Sequence, residues 1–398
     1  VGHILAGLKV IDAASYVAGP AATTVMADFG ADVIKVEPPS GDGYRSLAAR
    51  YRTDYNWQLT SRHKRALALD LKSAKGQAVL LSLVDQADVL VVNFNAKQLA
   101  EYQLDYAALK QRNPRLIFAQ ITGYGTRGPD RSKRAFDLSA WWARSGIMDM
   151  MKPLGGAPVN GVGGVGDHAS AMSLFGVVML ALYDRERSGQ GASVSTSLVA
   201  NGAWSNGMHL QGMIAGYDLA AVLDKHGYRS PFVMSYKTRD ERYVVLVGPN
   251  PQREWPRLCR AMGHPEWLQE PRFAEMTGVM ALRDEVRELF ARALSRFRLD
   301  EVVLRLEAED VTFSVLEKNS DVIHDAHLIE NEVIVKTASE HPDYQWTVAS
   351  PINIVGQVKK IPTDAPAVGA HSRDILCELG YTAGQIDELI AHGIVKCS

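Results

Sequence analysis

The first 121 residues alternate short apolar runs with helix-length segments, and this alternation restricts the fold more than any other feature of the chain. Leu8–Asp12 reads as a short buried strand, Pro20–Phe29 as a helix opened by a proline near its first position, and Val33–Glu37 as the next strand. Further strands are expected at Ala66–Asp70, Val89–Phe94 and Leu116–Ile121, with helices over Lys75–Gln86 and Lys97–Gln111. Connections too long for hairpins make parallel pairing with crossover helices the economical solution. The expected class is α/β, with a large Rossmann-like parallel-sheet domain.

The pattern changes in the middle of the chain. Ser235–Val247 reads as a hairpin turning near Asp240-Glu241, and charged helices follow over Arg253–Met262 and Leu282–Phe297. Residues 226–330 are read as a smaller α+β domain. Residues 1–225 then form the N-terminal part of the large domain, and residues 331–398, helical at Arg373–Leu379 and Ala383–His392, return to it. A chain of 398 residues, 46% of them hydrophobic, can fill two such cores.

Charge removes several function classes. With 43 Lys+Arg against 45 Asp+Glu, the formal charge of -2 creates no field that would draw nucleic acid or an anionic membrane surface. The three cysteines, Cys259, Cys377 and Cys397, have neither metal nor redox spacing, and their odd number fits a reducing compartment. No apolar run of membrane-spanning length is read, and Val1–Leu5 lacks the basic and apolar regions of a signal peptide. A cytoplasmic location is expected, with no membrane and no nucleic-acid partner.

The most informative segment for chemistry is Gly-Val-Gly-Gly-Val-Gly-Asp-His, from Gly161 to His168. It places Asp167 on a bare ledge just before a helix whose apolar face is Met172, Phe175, Val178, Met179 and Leu182, and which stops at Arg185, Arg187 and Gly189. Two readings stand: an N-cap for that helix, or an ionised nucleophile facing a ligand that the glycines let approach. His168 is a helix-start residue or a base. Other chemistries lack their parts. The first strand-to-helix turn, Val17–Pro20, has one glycine where a dinucleotide fingerprint needs three, although Glu37 ends the second strand where a ribose-binding acid would sit. Phosphate-loop and nucleophile-elbow motifs are missing, and His324 with His327 has no third ligand nearby, so no metal site is assigned.

The segments Leu5–Asp12, Ala18–Pro20, Phe29–Pro38, His63–Lys72, Ala87–Phe94, Asn113–Ile117, Gly166–His168, Arg187–Gly191 and Gly369–Tyr381 resemble, in order and spacing, the family III CoA transferases of CaiB/BaiF type. The resemblance spans nearly the whole chain. It implies an enzyme, an acyl-CoA:carboxylate CoA transferase, with Asp167 as a covalent nucleophile that passes through a mixed anhydride and an aspartyl-CoA thioester. Thioester energy is conserved, so no permanently bound cofactor is implied; coenzyme A enters as the acyl-CoA substrate, and a carboxylic acid accepts it. Oxyanion donors would come from backbone N–H groups of the glycine run, and a capping Asp167 would be held ionised.

Residue by residue, the resemblance carries CoA binding onto Ser15, Tyr16, Val17, Ala18, Leu69, Lys72, Asn93, Phe94 and Arg134. Pro38 and Glu101-Tyr102 stand where some relatives carry arginine and Arg-Met, and Lys97 is assigned as the replacement cation. The related α-methylacyl-CoA racemases carry a histidine where this chain has Phe136, which has no proton to exchange. Asp137, next to it, orients the acyl group or CoA, or caps the helix starting at Leu138. A racemase and a non-catalytic CoA-binding module are the alternatives. Trp141, Trp142, Met148, Met150 and Met151 either wall an apolar acyl pocket, which would suit bulky branched or aromatic acids over oxalate or formate, or belong to the core. The family's architecture implies two interlocked subunits, a homodimer or a hetero-oligomer with a similar chain.

Overall fold

Seven strands make the central sheet of a computed structural model that describes residues 2–47, 51–153, 156–217 and 230–398. In chain order, β1 (Lys9–Asp12), β2 (Asp32–Glu37), β3 (Arg65–Leu69), β4 (Val89–Val92), β5 (Ile117–Thr122) and β6 (Ser193–Ser197) precede β7 (Val233–Lys237), β8 (Tyr243–Val247) and β9 (Phe313–Val315). After these come β10 (Ile334–Lys336), β11 (Trp346–Val348) and β12 (Val395–Lys396). The large sheet runs β12-β3-β2-β1-β4-β5-β6, parallel except for β12, which pairs antiparallel with β3. This is a mixed α/β fold with a mostly parallel sheet. Because β1 is flanked by β2 on one side and β4 on the other, the order reverses there, which opens a crevice at the strands' C-terminal ends.

Strand side chains alternate between two buried faces. Ile11, Ile34, Leu90 and Phe118 join a core closed by Ile375 and Leu376 of the helix Ser372–Glu378 and by Ile386 and Leu389 of the helix Ala383–Ala391. Val10, Val33, Val91 and Ile117 pack on the other face against the helices Ala18–Asp28 and Val165–Ser188. The chain divides into two compact units, Val1–Tyr217 with His327–Ser398, and Asp218–Ala326. The second unit holds the antiparallel sheet β7-β8-β9 over an aromatic core of Phe232, Trp255 and Phe290.

Four local readings differ from the structure. The first helix begins at Ala18, so Pro20 sits inside the opening turn, where its missing N–H would have no partner anyway. The segment Lys97–Gln111 is two helices, Ala96–Glu101 and Tyr106–Arg112, split where Gln103 adopts φ +59 and Asp105 caps the second. Strands β6 and β12 carry too little apolar pattern to be read. The helix Val165–Ser188, by contrast, is long and apolar enough to cross a membrane by length and composition, which the sequence reading overlooked; here it packs on the first helix, β5 and β6.

A fully buried charge network lies beneath the turn after β1. Lys64 donates to Asp12 at 2.8 Å and to the carbonyls of Pro20 and Thr60, while Thr23 donates to the same carboxylate at 2.8 Å. Lys35 pairs with Asp42 at 3.1 Å, lies 4.0 Å from Asp12 and donates to the carbonyl of Ala14. Burial opposes ionisation of Asp12, but the two ammonium groups overcome it and hold its carboxyl below the usual value. Burial pushes Lys64 down to about 8 despite Asp12. Removing this carboxylate leaves Lys64 a buried cation without its counter-charge, while Lys35 keeps Asp42. The variant Asp12→Ala should therefore lose about 3–5 kcal/mol of stability in denaturant unfolding; a loss under about 1 kcal/mol would show that the network carries no such weight.

Candidate active site

Residues following the C-terminal ends of β1, β4, β5 and β6 converge on a cavity of 370 Å³ at the switch point. Ser15, Tyr16, Val17 and Ala18 supply one wall, and Asn93 and Phe94 another. The turn is held by named contacts. The Ser15 N–H donates to Asn93 Oδ1 at 3.0 Å and Asn93 Nδ2 returns a bond to the Ser15 carbonyl at 2.9 Å, while the Tyr16 N–H reaches Asp42. Tyr16 adopts φ +66, a left-handed conformation that a tyrosine keeps only where its surroundings impose it. Its ring meets Phe136 edge-on at 5.5 Å, and both rings line the cavity.

Asp167 is the one acidic side chain among the described residues that line the cavity, which contains no histidine and no cysteine. It sits in the first turn of the helix Val165–Ser188, whose N-cap is Gly164 at φ +88. The expected cap is thus corrected: Asp167 lies three residues into the helix, with Gly164 as the N-cap, and its carboxyl has no hydrogen-bond donor among the described residues. The glycines are set by close packing. A Cβ on Gly166 would fall 2.5 Å from Trp141 Cγ, and one on Gly161 would fall 2.3 Å from Trp142 Cδ2.

The glycine run's expected role as a donor to oxyanions also changes. Asp137 is 4% exposed, and its Oδ2 accepts the Gly164 N–H at 2.6 Å, so that N–H is already engaged. Burial, with the neighbouring Asp137 charge added, pushes the Asp167 carboxyl from 3.8 up to about 7. His168 is driven the other way, by burial and then by Arg62.

Of the remaining sequence-stated residues, Arg134 lines the cavity, whereas Leu69, Lys72, Lys97 and Asp137 do not. Leu69 is in the core, Lys72 and Lys97 are exposed, and Asp137 is buried. Trp141 and Trp142, each 8% exposed, are core residues, and none of the Trp-Met group walls the cavity. Sequence reasoning missed Asn95 and Gln98, joined in a capping box, and the polar run Arg131-Ser132-Lys133 next to Arg134. Their position after β4 and β5 at a sheet reversal was the available signal. Arg131, Lys133 and Arg134 have no ion pair among the described residues, so they give one rim an uncompensated positive charge.

Residues 5–372 match the family model described as CoA-transferase family III. The chain is 30% identical over 397 residues to the cinnamoyl-CoA:phenyllactate CoA-transferase of Clostridium sporogenes, covering 97% of this chain and 96% of that protein. It is 28% identical to the (R)-2-hydroxy-4-methylpentanoate CoA-transferase of Clostridioides difficile, covering 99% of this chain and 100% of that protein. Among solved structures, a CAIB/BAIF family protein from Brucella suis has a similar fold, with a TM-score of 0.83 at 24% identity over 95% of this chain and 100% of that one.

A raised carboxyl is a stability statement. Between 3.8 and about 7 the folded chain retains a proton that the unfolded chain has released, so stability falls as pH rises through that window and the penalty is constant above it. Asp167→Asn removes the penalty. Its melting temperature should exceed that of the parent above pH about 7, with the advantage shrinking as pH falls and disappearing below 3.8. An advantage that does not change with pH would contradict the assignment.

Proposed function

The chain belongs to CoA-transferase family III and is a CoA-transferase, and on that premise we propose that it moves CoA between carboxylic acids by covalent catalysis on Asp167. The observation that supports this is a single carboxylate in a cavity that offers no histidine, cysteine or second acid as a partner. A carboxylate oxygen attacks the thioester carbonyl; the C–S bond breaks and a mixed anhydride forms with release of CoA thiolate. The thiolate then attacks the aspartyl carbonyl, expelling the donor acid and leaving an aspartyl-CoA thioester. An acceptor carboxylate reverses these two steps, and Asp167 is regenerated. No electron or net proton is exchanged, so nothing beyond the two substrates is required.

Phe136 lines the cavity at the position where a two-base isomerase would need a proton carrier, and this argues against the racemase reading. The cationic rim of Arg131, Lys133 and Arg134 suits CoA phosphates, with Lys72 and Lys97 lying outside the cavity wall. Tyr16 and Phe136 present apolar ring surface, and two relatives are named for aryl or branched acids. Bulky apolar 2-hydroxy or unsaturated acids are therefore the proposed substrates.

Assembly belongs to the same reading. Leu180, Tyr183, Trp204, Met208 and Ile214 are each more than 60% exposed on three successive helices, an apolar surface that a second subunit would cover. A dimer is expected in size-exclusion light scattering, and Trp204→Glu with Met208→Glu should break it; a monodisperse monomer of the parent chain would contradict this.

Intact mass after mixing with acyl-CoA, followed by hydroxylamine, should reveal a hydroxamate on Asp167. Asp167→Ala should lose both adduct and exchange, on the order of 10⁴-fold or more in kcat. A binder without chemistry would give no adduct. Because the attacking form is ionised, kcat/KM should fall tenfold per pH unit below about 7; a flat profile there would exclude this titration.

A further inference from the structure

We infer that Asp137 is a positioning residue that drives acylation, by holding the helix of the nucleophile through Gly164 and by repelling the Asp167 anion in the free enzyme. This inference rests on the covalent role proposed for Asp167. Asp137 is not among the residues that line the cavity, and among the described residues it has no ion pair with lysine or arginine. Its Oδ2 accepts the N–H of Gly164, the N-cap of the helix that carries Asp167, at 2.6 Å. A buried carboxylate placed there cancels part of the positive helix end that would otherwise stabilise an anion in the first turn. It also adds like charge beside Asp167, which has no hydrogen-bond donor among the described residues.

The consequence concerns the intermediates. In the mixed anhydride and in the aspartyl-CoA thioester the Asp167 carbonyl carries no charge, because one carboxylate oxygen is acylated in the first and replaced by sulfur in the second. Repulsion from Asp137 is present before attack and absent afterwards. The free carboxylate is thereby made a stronger nucleophile, and both covalent states are favoured relative to the resting anion. Other groups facing Asp167 do not supply this effect. Tyr44, whose phenol is pushed up to about 12 by burial and then by Asp167, stays neutral, and Arg131, Lys133 and Arg134 on the cavity wall carry the opposite charge. His168 faces Arg62 and Asp137, and burial disfavours its charged form.

Asp137→Asn tests the inference, because an amide oxygen can still accept the Gly164 N–H while the charge is lost. Carbon-13 NMR of the Asp167 carboxyl should show its titration midpoint falling, and the acid limb of kcat/KM should move down with it. Each unit of that fall should lower the acylation equilibrium, read as adduct fraction by intact mass, about tenfold. Asp137→Glu, which keeps the charge, should leave the midpoint near that of the parent, and Asp137→Ser, which removes the charge but keeps an acceptor oxygen, should lower it and serves if the amide variant folds poorly. A midpoint and acid limb unmoved in Asp137→Asn would overturn the inference. Failure of the parent chain to form any adduct would instead defeat the transferase chemistry, and the titration would still report whether the two carboxyls are coupled.

Discussion

The buried carboxylate of Asp12 is the constraint on which the site depends. It ends β1, accepts from Lys64 and Thr23, and shares Lys35 with Asp42, so the strand, the first helix and the loop after β2 are tied to one set of charges. Asp42 then receives the N–H of Tyr16, and Asn93 clasps Ser15 from the end of β4. A tyrosine at positive φ is thereby held at the cavity wall. Charges with no access to water are expensive, and pairing them in this geometry fixes the turn more firmly than apolar contacts alone would.

On the opposite wall the logic is reversed. Among the described residues the half-buried carboxyl of Asp167 has no hydrogen-bond donor, while its helix is fixed through glycines pressed onto Trp141 and Trp142 and through Asp137 at the N-cap. A rigid, poorly solvated anion is a costly ground state and a competent nucleophile. The same features that lower folding stability here are the ones covalent chemistry can use.

Strands β1 to β5 were legible because both faces of the sheet are buried, which writes near-continuous apolar runs into the chain. Ser193–Ser197 was not legible: its residues are mostly small and polar, and pairing with β5 alone defines it as a strand. The break at Gln103 depends on backbone conformation and a cap at Asp105, which periodicity does not register. At the site, the glycine run pointed to Asp167 and left it a cap or a nucleophile; the cap reading fails because the helix starts two residues earlier, at a place with no side-chain signature. The tryptophans looked equally suited to a pocket or a core. Only their packing beneath Gly161 and Gly166 decides for the core. The cations Arg131 and Lys133 lie in a loop whose meaning comes from the reversal of strand order, a property of topology and not of local sequence.

The central claim is that an Asp167 oxygen becomes part of an anhydride during every transfer. The direct measurement is turnover with an acceptor acid whose carboxylate carries heavy oxygen, followed by mass analysis of the peptide containing Asp167. The account predicts that this peptide gains heavy oxygen, because the bridging atom of the second anhydride stays with the aspartate when thiolate attacks the acceptor carbonyl. Continued CoA transfer with no label in that peptide would contradict it.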